Sequence, residues 1–410
     1  MKSVVKQEVL ALSGNEAVAY AVKQSDVDVV AAYPITPQTI IVERFSEYVA
    51  NGEVETEFIC TESEHSALTA CLAASVTGAR TFTASASAGL ALMHEMLFVT
   101  SGCRAPVVMA IANRALSAPL NIHGDQSDTM AQRDSGWIQI YVENAQEAYD
   151  SIIQAFRISE NPEILLPVIV GLDGFTLSHS LENVWVLPDE VVKNFIGRRQ
   201  IPLVTNHEGK QVPFKLDPEN PLTMGPVAFP NYYFEFKRQQ EEAMKKALEV
   251  IPQVNAEFAQ ISGRSYGNGL LEPYRLEDAE IATVCLGSTA GTVKTVVDEL
   301  RSRGVKAGLL RIRTFRPLPV EGIIEALEKV KAVGVMDKSM SFGGYGGQVF
   351  QEVRHALYDA PEHPYVVDYI YGLGGRDTNP AQIHEIYKDL QKMVQKKRVE
   401  KPINYVGLRE

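Results

Sequence analysis

A chain of 410 residues, 45% hydrophobic and 22% charged, is too long for one ordinary core and reads as a globular protein of two domains. Its net charge of -12 argues against nucleic-acid binding, which needs a clustered basic surface, and no apolar run reaches the length of a bilayer span. The four cysteines, Cys60, Cys71, Cys103 and Cys285, lie far apart in apolar surroundings without a C-x-x-C pair, so an iron–sulfur cluster held by this chain alone is not expected. The first residues, MKSVVKQEVLALSGNEAVAYAV, are interrupted by charge where a secretory signal would be continuously apolar, and a cytoplasmic location is expected.

Short β-branched runs alternate with helical patterns through the first part of the chain. VDVVAAY precedes a helix from about Gln38, TEFIC an Ala-rich helix from about Glu64, ARTFTAS a helix from about Leu90, and PVVMAIAN a long irregular stretch. A helix from about Ala145 and the buried run LLPVIVGLD close this part, and the alternation implies a mostly parallel sheet covered by helices on both faces. From about Thr176 to Asp278 the pattern breaks down into the Pro-rich PFKLDPENPLTMGPVAFPNYYF and a charged helix, read as a linker whose aromatics wrap over another surface. A second α/β pattern follows: AEIATVCLG, VKAGLLRIR, KAVGVMD and PYVVDYIYG, separated by helices. The basic tail residues Lys392, Lys396, Lys397 and Arg398 are expected to sit favourably against the dipole at the end of the last helix. The division expected is 1–235 for the first α/β domain with an irregular arm, 236–278 for a helical linker and 279–410 for the second domain.

The stretch NRALSAPLNIHGDQSDTMAQRDSGW fits neither a helix nor a strand period and holds Arg114, His123, Asp125, Asp128, Arg133 and Asp134. Leu116, Leu120, Ile122, Met130 and Trp137 are expected to anchor it, which makes it a binding loop rather than a disordered linker. YPITPQT, from Tyr33 to Thr39, follows a strand at the edge where open α/β sheets bind ligands; Pro34 and Pro37 stiffen it, and Thr36 either meets a carboxylate or phosphate or merely starts the helix. Glu62, Glu64 and His65 open the Ala-rich helix, where Glu64 is either a first-turn carboxylate favoured by the dipole or a functional acid. Ser85, Ser87 and Gly89 form a small-residue turn whose backbone N–H groups could face a ligand. Gly343, Gly344, Gly346 and Gly347 precede a helix, as a phosphate cradle or as a plain tight turn.

Taken in order, YPITPQT, ESEHSA, GARTFTASASAGLALMHE and the irregular stretch resemble the α subunit of 2-oxoacid:ferredoxin oxidoreductases, above all those acting on pyruvate. RTFRPLP, Asp337 to Gly343 and GLGGRDT extend the resemblance across nearly the whole chain, with Lys338 where that family commonly has arginine. The resemblance implies a thiamine-diphosphate pyrimidine-binding-type doubly wound sheet followed by a smaller transketolase C-terminal-like α/β domain. It implies thiamine diphosphate shared with a β subunit that supplies the diphosphate and Mg²⁺ end, consistent with the lack of a GDG motif followed by an NN pair. Gamma and delta (ferredoxin-like) subunits with [4Fe-4S] clusters, ferredoxin as electron acceptor and coenzyme A as substrate complete the implied assembly.

By the same resemblance Glu64 meets N1′ of the aminopyrimidine, where a carboxyl group favours the tautomer that takes a proton from the thiazolium. Tyr33, Pro34, Ile35, Ser87 and Gly89 are implied cofactor contacts; Thr36 and Arg114 are implied to grip the 2-oxoacid carboxylate, threonine favouring pyruvate. Asp125, Asp128 and Arg133 are assigned to loop ordering and the partner interface, or to an internal ion-pair network, and no metal ligand is expected. The implied reaction is the reversible, CoA-dependent oxidative decarboxylation of pyruvate to acetyl-CoA and CO₂, with activity only in the complex. The competing readings are a branched-chain 2-oxoacid:ferredoxin oxidoreductase α subunit, separated by pocket volume, and a non-catalytic scaffold.

Overall fold

The computed structural model describes residues 5–409. Its first sheet has seven strands in the order Thr314–Arg316, Ile138–Tyr141, Val168–Asp173, Val107–Asn113, Thr81–Ser85, Val29–Ala32, Glu57–Cys60, all parallel except the first. The central strands Thr81–Ser85, Val107–Asn113 and Val168–Asp173 are buried along their whole length, as continuous apolar runs covered by helices on both faces require. Because these strands run the same way, the turns after Ala32, Cys60, Ser85, Asn113 and Asp173 gather at one edge. Those turns carry Thr36, Glu64, Ser87, Arg114 and Phe175, residues scattered in sequence and brought together by parallelism.

Local signals start the helices. Ser13 and Glu16 form a reciprocal capping box on Gly14–Gln24, Asn144 caps Ala145–Ser159, and Ser63 accepts the Ser66 N–H at the head of Glu64–Thr77. Gly78, with a φ of 110°, ends that last helix in the left-handed region. The helix expected from about Leu90 is two segments, Ser87–Leu92 and His94–Gly102, meeting at Met93.

The second sheet has six strands in the order Leu271–Tyr274, Ala307–Ile312, Ile281–Cys285, Ala332–Asp337, Tyr365–Ile370, Ile403–Tyr405. The passage 176–278 is more ordered than its composition suggests. Leu181–Val186 pairs antiparallel with Glu8–Ser13, and a helix runs from Tyr233 to Ser262, its Ala247, Ile251 and Phe258 buried in a core cluster that takes residues from both sheets. Leu271–Tyr274 belongs to the second sheet, and Thr314–Arg316, from the RTFRPLP motif, completes the first.

Buried charges fasten this seam. Glu147 accepts from Arg313 Nε at 2.8 Å and also bonds Arg311, which reaches Glu272 at 2.7 Å; all but Glu272 are fully buried. Burial opposes a charge on Arg311, and Glu147, Glu143 and Glu272 more than offset it. The basic tail lies at the end of the last helix, with Lys396 in its last turn and Lys397 its left-handed cap residue, and three of its cations are also paired locally: Lys392 with Asp389, and Lys396 and Arg398 with Glu400. Cys60 is exposed rather than set in an apolar neighbourhood, and all four thiols are free.

No phosphate cradle forms at the glycine cluster. Asp337 accepts the Val349 and Phe350 N–H groups at 2.9 and 2.8 Å, and Asp368 accepts that of Gly347 at 2.7 Å, so the helix start is filled by the protein's own carboxylates. Burial pushes the Asp368 carboxyl up to about 6, and burial beside Asp368 raises Asp337 further. A raised folded-state value means that Asp368 stabilises the fold below the unfolded carboxylate range and loses that contribution as pH rises through about 6. Asp368→Asn keeps an acceptor for Gly347 and removes one of two like charges. It is expected to stabilise the protein by about 1–3 kcal/mol at pH 8 and not at pH 4. Urea unfolding at the two pH values checks this, and a loss of stability at pH 8 would contradict it.

Candidate active site

Glu64 is the first residue of its helix and is 6% exposed, yet its carboxylate makes no hydrogen bond or ion pair among the described residues. Across from it, Gly89 leaves room that a side chain would take: a Cβ there would stand 2.5 Å from Glu64 Oε1 and 2.6 Å from Ser85 Oγ. Ser85 Oγ is itself buried without a partner. A buried acid and a buried hydroxyl without partners, both packed against a glycine that admits them, fit a ligand that brings its own hydrogen-bonding groups.

Arg114, 8% exposed, donates Nε–H to Asn121 O at 3.1 Å and Nη1–H to Thr36 O at 2.9 Å. No carboxylate lies within ion-pair distance of it among the described residues. A buried guanidinium held only by carbonyls has fork donors left for an anion. Thr36 itself is exposed, as are Tyr33 and Pro34, while Ile35 is half-buried. The turn is held by Gln38, whose Nε2 donates to Tyr33 O at 2.9 Å and Ala84 O at 3.2 Å; neither Thr36 nor Thr39 caps the helix.

Asp128 organises the remainder. Its Oδ2 accepts the Ser87 and Arg114 N–H groups at 3.0 and 2.9 Å, and its Oδ1 accepts Asn113 Nδ2 at 2.8 Å and Thr129 N at 2.7 Å. The Ser87 amide, expected to face a ligand, is therefore already used by the protein, and Ser87 Oγ donates to Ala115 O at 2.6 Å. Burial raises the Asp128 carboxyl to about 6 against the donors that favour its ionised form. Asp128→Asn would turn an acceptor into a donor that meets two N–H groups, and about 2–4 kcal/mol of stability is expected to be lost. A midpoint of chemical unfolding equal to that of the unaltered chain would refute this role.

Asp125 accepts from Ser127 N at 3.0 Å and from Gly374 N at 3.0 Å, while Asn121 Nδ2 donates to Gly374 O at 2.9 Å and Gln126 N to Lys338 O at 2.9 Å. The loop is thus tied to the GLGGRDT and Lys338 segments of the second domain. Lys338, in the position where arginine was expected, stands 3.2 Å from Asp173 Oδ1. Burial pushes the Asp173 carboxyl up, but Lys338 and Ser288 outweigh it and hold it below the usual range. Arg133 donates to Met130 O at 3.1 Å and borders a groove of about 450 Å³ shared with Phe98, Tyr233 and Lys237, away from the Glu64 and Arg114 contacts.

Of the expected loop anchors, Met130 and Trp137 are fully buried, but Leu120 is 74% exposed and Ile122 42% exposed. Hydrogen bonds from Asn121, Asp125 and Asp128 hold the loop instead, and its apolar tip is left outside. Asn113, Asn121 and Gln38 were not singled out in the sequence: isolated amides carry no pattern until their partners are known.

An open parallel α/β sheet, with an acid and a guanidinium without ionic partners at its carboxyl edge, defines a ligand-binding enzyme domain. Residues 20–256 match the family model for pyruvate flavodoxin/ferredoxin oxidoreductase, thiamine diphosphate-binding, and residues 279–383 match pyruvate:ferredoxin oxidoreductase core domain II. The chain is 51% identical over 385 residues to pyruvate synthase subunit PorA of Methanocaldococcus jannaschii, covering 94% of this chain and 95% of that protein. It is 43% identical to ketoisovalerate oxidoreductase subunit VorA of Pyrococcus horikoshii, covering 97% of this chain and 98% of that one. The solved 2-oxoglutarate:ferredoxin oxidoreductase from Magnetococcus marinus, with 2-oxoglutarate, coenzyme A and succinyl-CoA bound, superposes with a TM-score of 0.73 at 20% identity, covering 95% of this chain and 66% of that chain. The chain belongs to the pyruvate:ferredoxin oxidoreductase family. Among the described residues no helix is long and apolar enough to cross a membrane.

Proposed function

We propose that the chain is the α subunit of a multi-subunit pyruvate:ferredoxin oxidoreductase, which converts pyruvate and coenzyme A reversibly to acetyl-CoA and CO₂. The observation that carries this reading is the pairing at one sheet edge of a buried acid and a buried guanidinium, Glu64 and Arg114, neither with an ionic partner. Arg114 presents its remaining N–H groups to the 2-oxoacid carboxylate, and the Thr36 turn closes beside it. Glu64, packed against Gly89, would hold a proton at the ring nitrogen of the aminopyrimidine, with Tyr33, Pro34 and Ile35 on the turn beside Thr36 as further contacts. Thiamine diphosphate, when bound, supplies the nucleophilic carbon and the electron sink that side chains lack. Asp128 keeps Ser87 and Arg114 in register, and Asp125 docks the loop on the second domain.

A β subunit gripping the diphosphate and Mg²⁺, gamma and delta subunits carrying [4Fe-4S] clusters, and ferredoxin as acceptor fit a chain with four scattered free thiols, in the cytoplasm. Purification of the native assembly tests the reading. The assembly is expected to contain thiamine diphosphate and cluster-bearing chains and to reduce ferredoxin with pyruvate at a kcat/KM at least about tenfold above that with 2-oxoisovalerate. The isolated polypeptide is expected to be inactive. A preference for 2-oxoisovalerate would instead favour the branched-chain reading, in keeping with the VorA relative.

A further inference from the structure

Two helices that frame the Glu64 site present outer faces without charge. In Glu64–Thr77 no charged residue follows His65, although Thr69, Ala73 and Thr77 are exposed. In His94–Gly102 none follows Glu95, yet Phe98 and Val99 are exposed, as is Leu92 just before this helix. A helix side that stays in water ordinarily carries charge, so these two sides fit a covered position. They lead directly to the site. Gly89, which packs against Glu64, precedes Phe98 by about 14 Å along the helical segments, and His65 Nε2 stands 3.5 Å from Glu95 Oε2 where the two helices begin.

The segment 220–234 is likewise without charge and is laid across the far ends of the same helices. Just ahead of it Leu216 N donates to Val76 O at 2.7 Å; a Cβ on Gly225 would stand 2.9 Å from Cys103 Sγ, and Tyr233 lines one groove with Phe98. Beyond Gly225 the chain stands out: Pro226, Val227 and every residue from Phe229 to Phe236 are exposed. Among the described residues the Val227, Ala228, Phe229 and Asn231 N–H groups find no acceptor. Phe98, Phe229, Tyr232, Tyr233, Phe234 and Phe236 are 41–77% exposed. At ~200 Å² for a whole aromatic side chain they offer roughly 700 Å². That exceeds the largest apolar patch of an ordinary monomer, about 300–600 Å², and approaches the ~800 Å² that each partner gives a stable complex.

We propose that residues 225–236, with the outer faces of Glu64–Thr77 and His94–Gly102, are the docking surface for the chain that grips the diphosphate end of thiamine diphosphate, an inference that rests on the functional reading above. The arm is exposed along its whole length, so the partner receives it in a groove instead of lying flat on it. Position selects the occupant. The uncharged faces begin beside Glu64 and Gly89, so a chain seated on them also covers the edge where the site is open, and the chain that completes the site has to sit there. A second copy of this chain would bring another acid and guanidinium to that edge and shut the completing chain out. Depletion of charge with enrichment in Tyr and Phe is the composition of an interface core, and of permanent complexes more than of transient, wet contacts.

Amide hydrogen exchange tests this on the full-length chain alone, on the chain with the purified thiamine-diphosphate-binding subunit, and on the native assembly. Peptides spanning 225–236 are expected to exchange at least about tenfold more slowly once that subunit is added, and to stay protected in the assembly. Phe229→Ser combined with Phe234→Ser removes two exposed rings, so thermal unfolding of the chain should be unchanged while its Kd for the subunit rises about a hundredfold. Tyr358→Ser, which removes an equally exposed ring from the second domain, should leave that Kd within about twofold. Should the double variant unfold at a lower temperature, Phe234→Ser alone is expected to raise the Kd about tenfold. Protection that is absent, or that appears only with cluster-bearing chains or through self-association of this chain, overturns the proposal. So does a Kd unmoved by the Phe234 substitution or moved as much by Tyr358→Ser. A native assembly without a thiamine-diphosphate-binding chain overturns the functional reading instead, and purification shows this before any exchange is measured.

Discussion

Glu64→Gln is expected to abolish nearly all pyruvate-dependent ferredoxin reduction by the assembled complex, by a factor of about 10²–10⁴, while leaving assembly intact. Glutamine keeps the shape of the side chain and its place at the head of the helix; the forfeited interaction of a carboxylate with the helix dipole is worth only about 0.3–1 kcal/mol. What the amide cannot do is hold and return a proton at a ring nitrogen. The carboxylate is buried without a hydrogen bond or ion pair among the described residues, so no structural network depends on its charge. A scaffold reading predicts the opposite outcome, unchanged turnover of the complex. Steady-state assays on copurified complexes of equal composition decide between them, and turnover within threefold of the unaltered enzyme would remove Glu64 from the chemistry.

Arg114→Lys should lower kcat/KM for pyruvate by about a hundredfold, which corresponds to roughly 2.7 kcal/mol of transition-state stabilisation. The substitution keeps a positive charge and would be mild if charge alone mattered. It removes the planar fork and with it the two bonds, to Asn121 O and Thr36 O, that orient the guanidinium. Arg114→Ala should be no more than about tenfold worse than the lysine variant, because orientation rather than net charge carries most of the effect. Initial rates over a range of pyruvate concentrations measure this, with thermal unfolding of the same preparations as the control for folding. A lysine variant within threefold of the unaltered enzyme would show that the anion is held elsewhere.

Much of the first domain was legible because each buried parallel strand is a short, continuous β-branched run and each following helix carries its own start signal, as with Ser63 ahead of Glu64 or Asn144 ahead of Ala145. The site edge was legible for the same reason. Residues that follow the carboxyl ends of parallel strands converge, which placed the Thr36 turn at the ligand edge from sequence, and the sheet order then brings Glu64, Ser87 and Arg114, candidates through the family resemblance, to the same edge. Leu120 and Ile122 misled because hydrophobicity states a preference for burial and not whether a core lies within reach; they stand at the outer tip of a loop held by hydrogen bonds.

The amino-acid order by itself determined the strand–helix alternation and the two α/β patterns, since periodicity and caps are properties of neighbouring residues, while Glu64, Thr36 and Arg114 were named as site candidates through the family resemblance. Tertiary structure alone decided that Thr314–Arg316 closes the sheet of the other domain and that Asp337 and Asp368 fill the glycine-rich turn. It also decided that Asp128 takes the Ser87 amide and that Asn121 orients both Arg114 and His123. A hydrogen bond is satisfied by whichever partner the fold brings within about 3 Å, and that partner can lie far away along the chain.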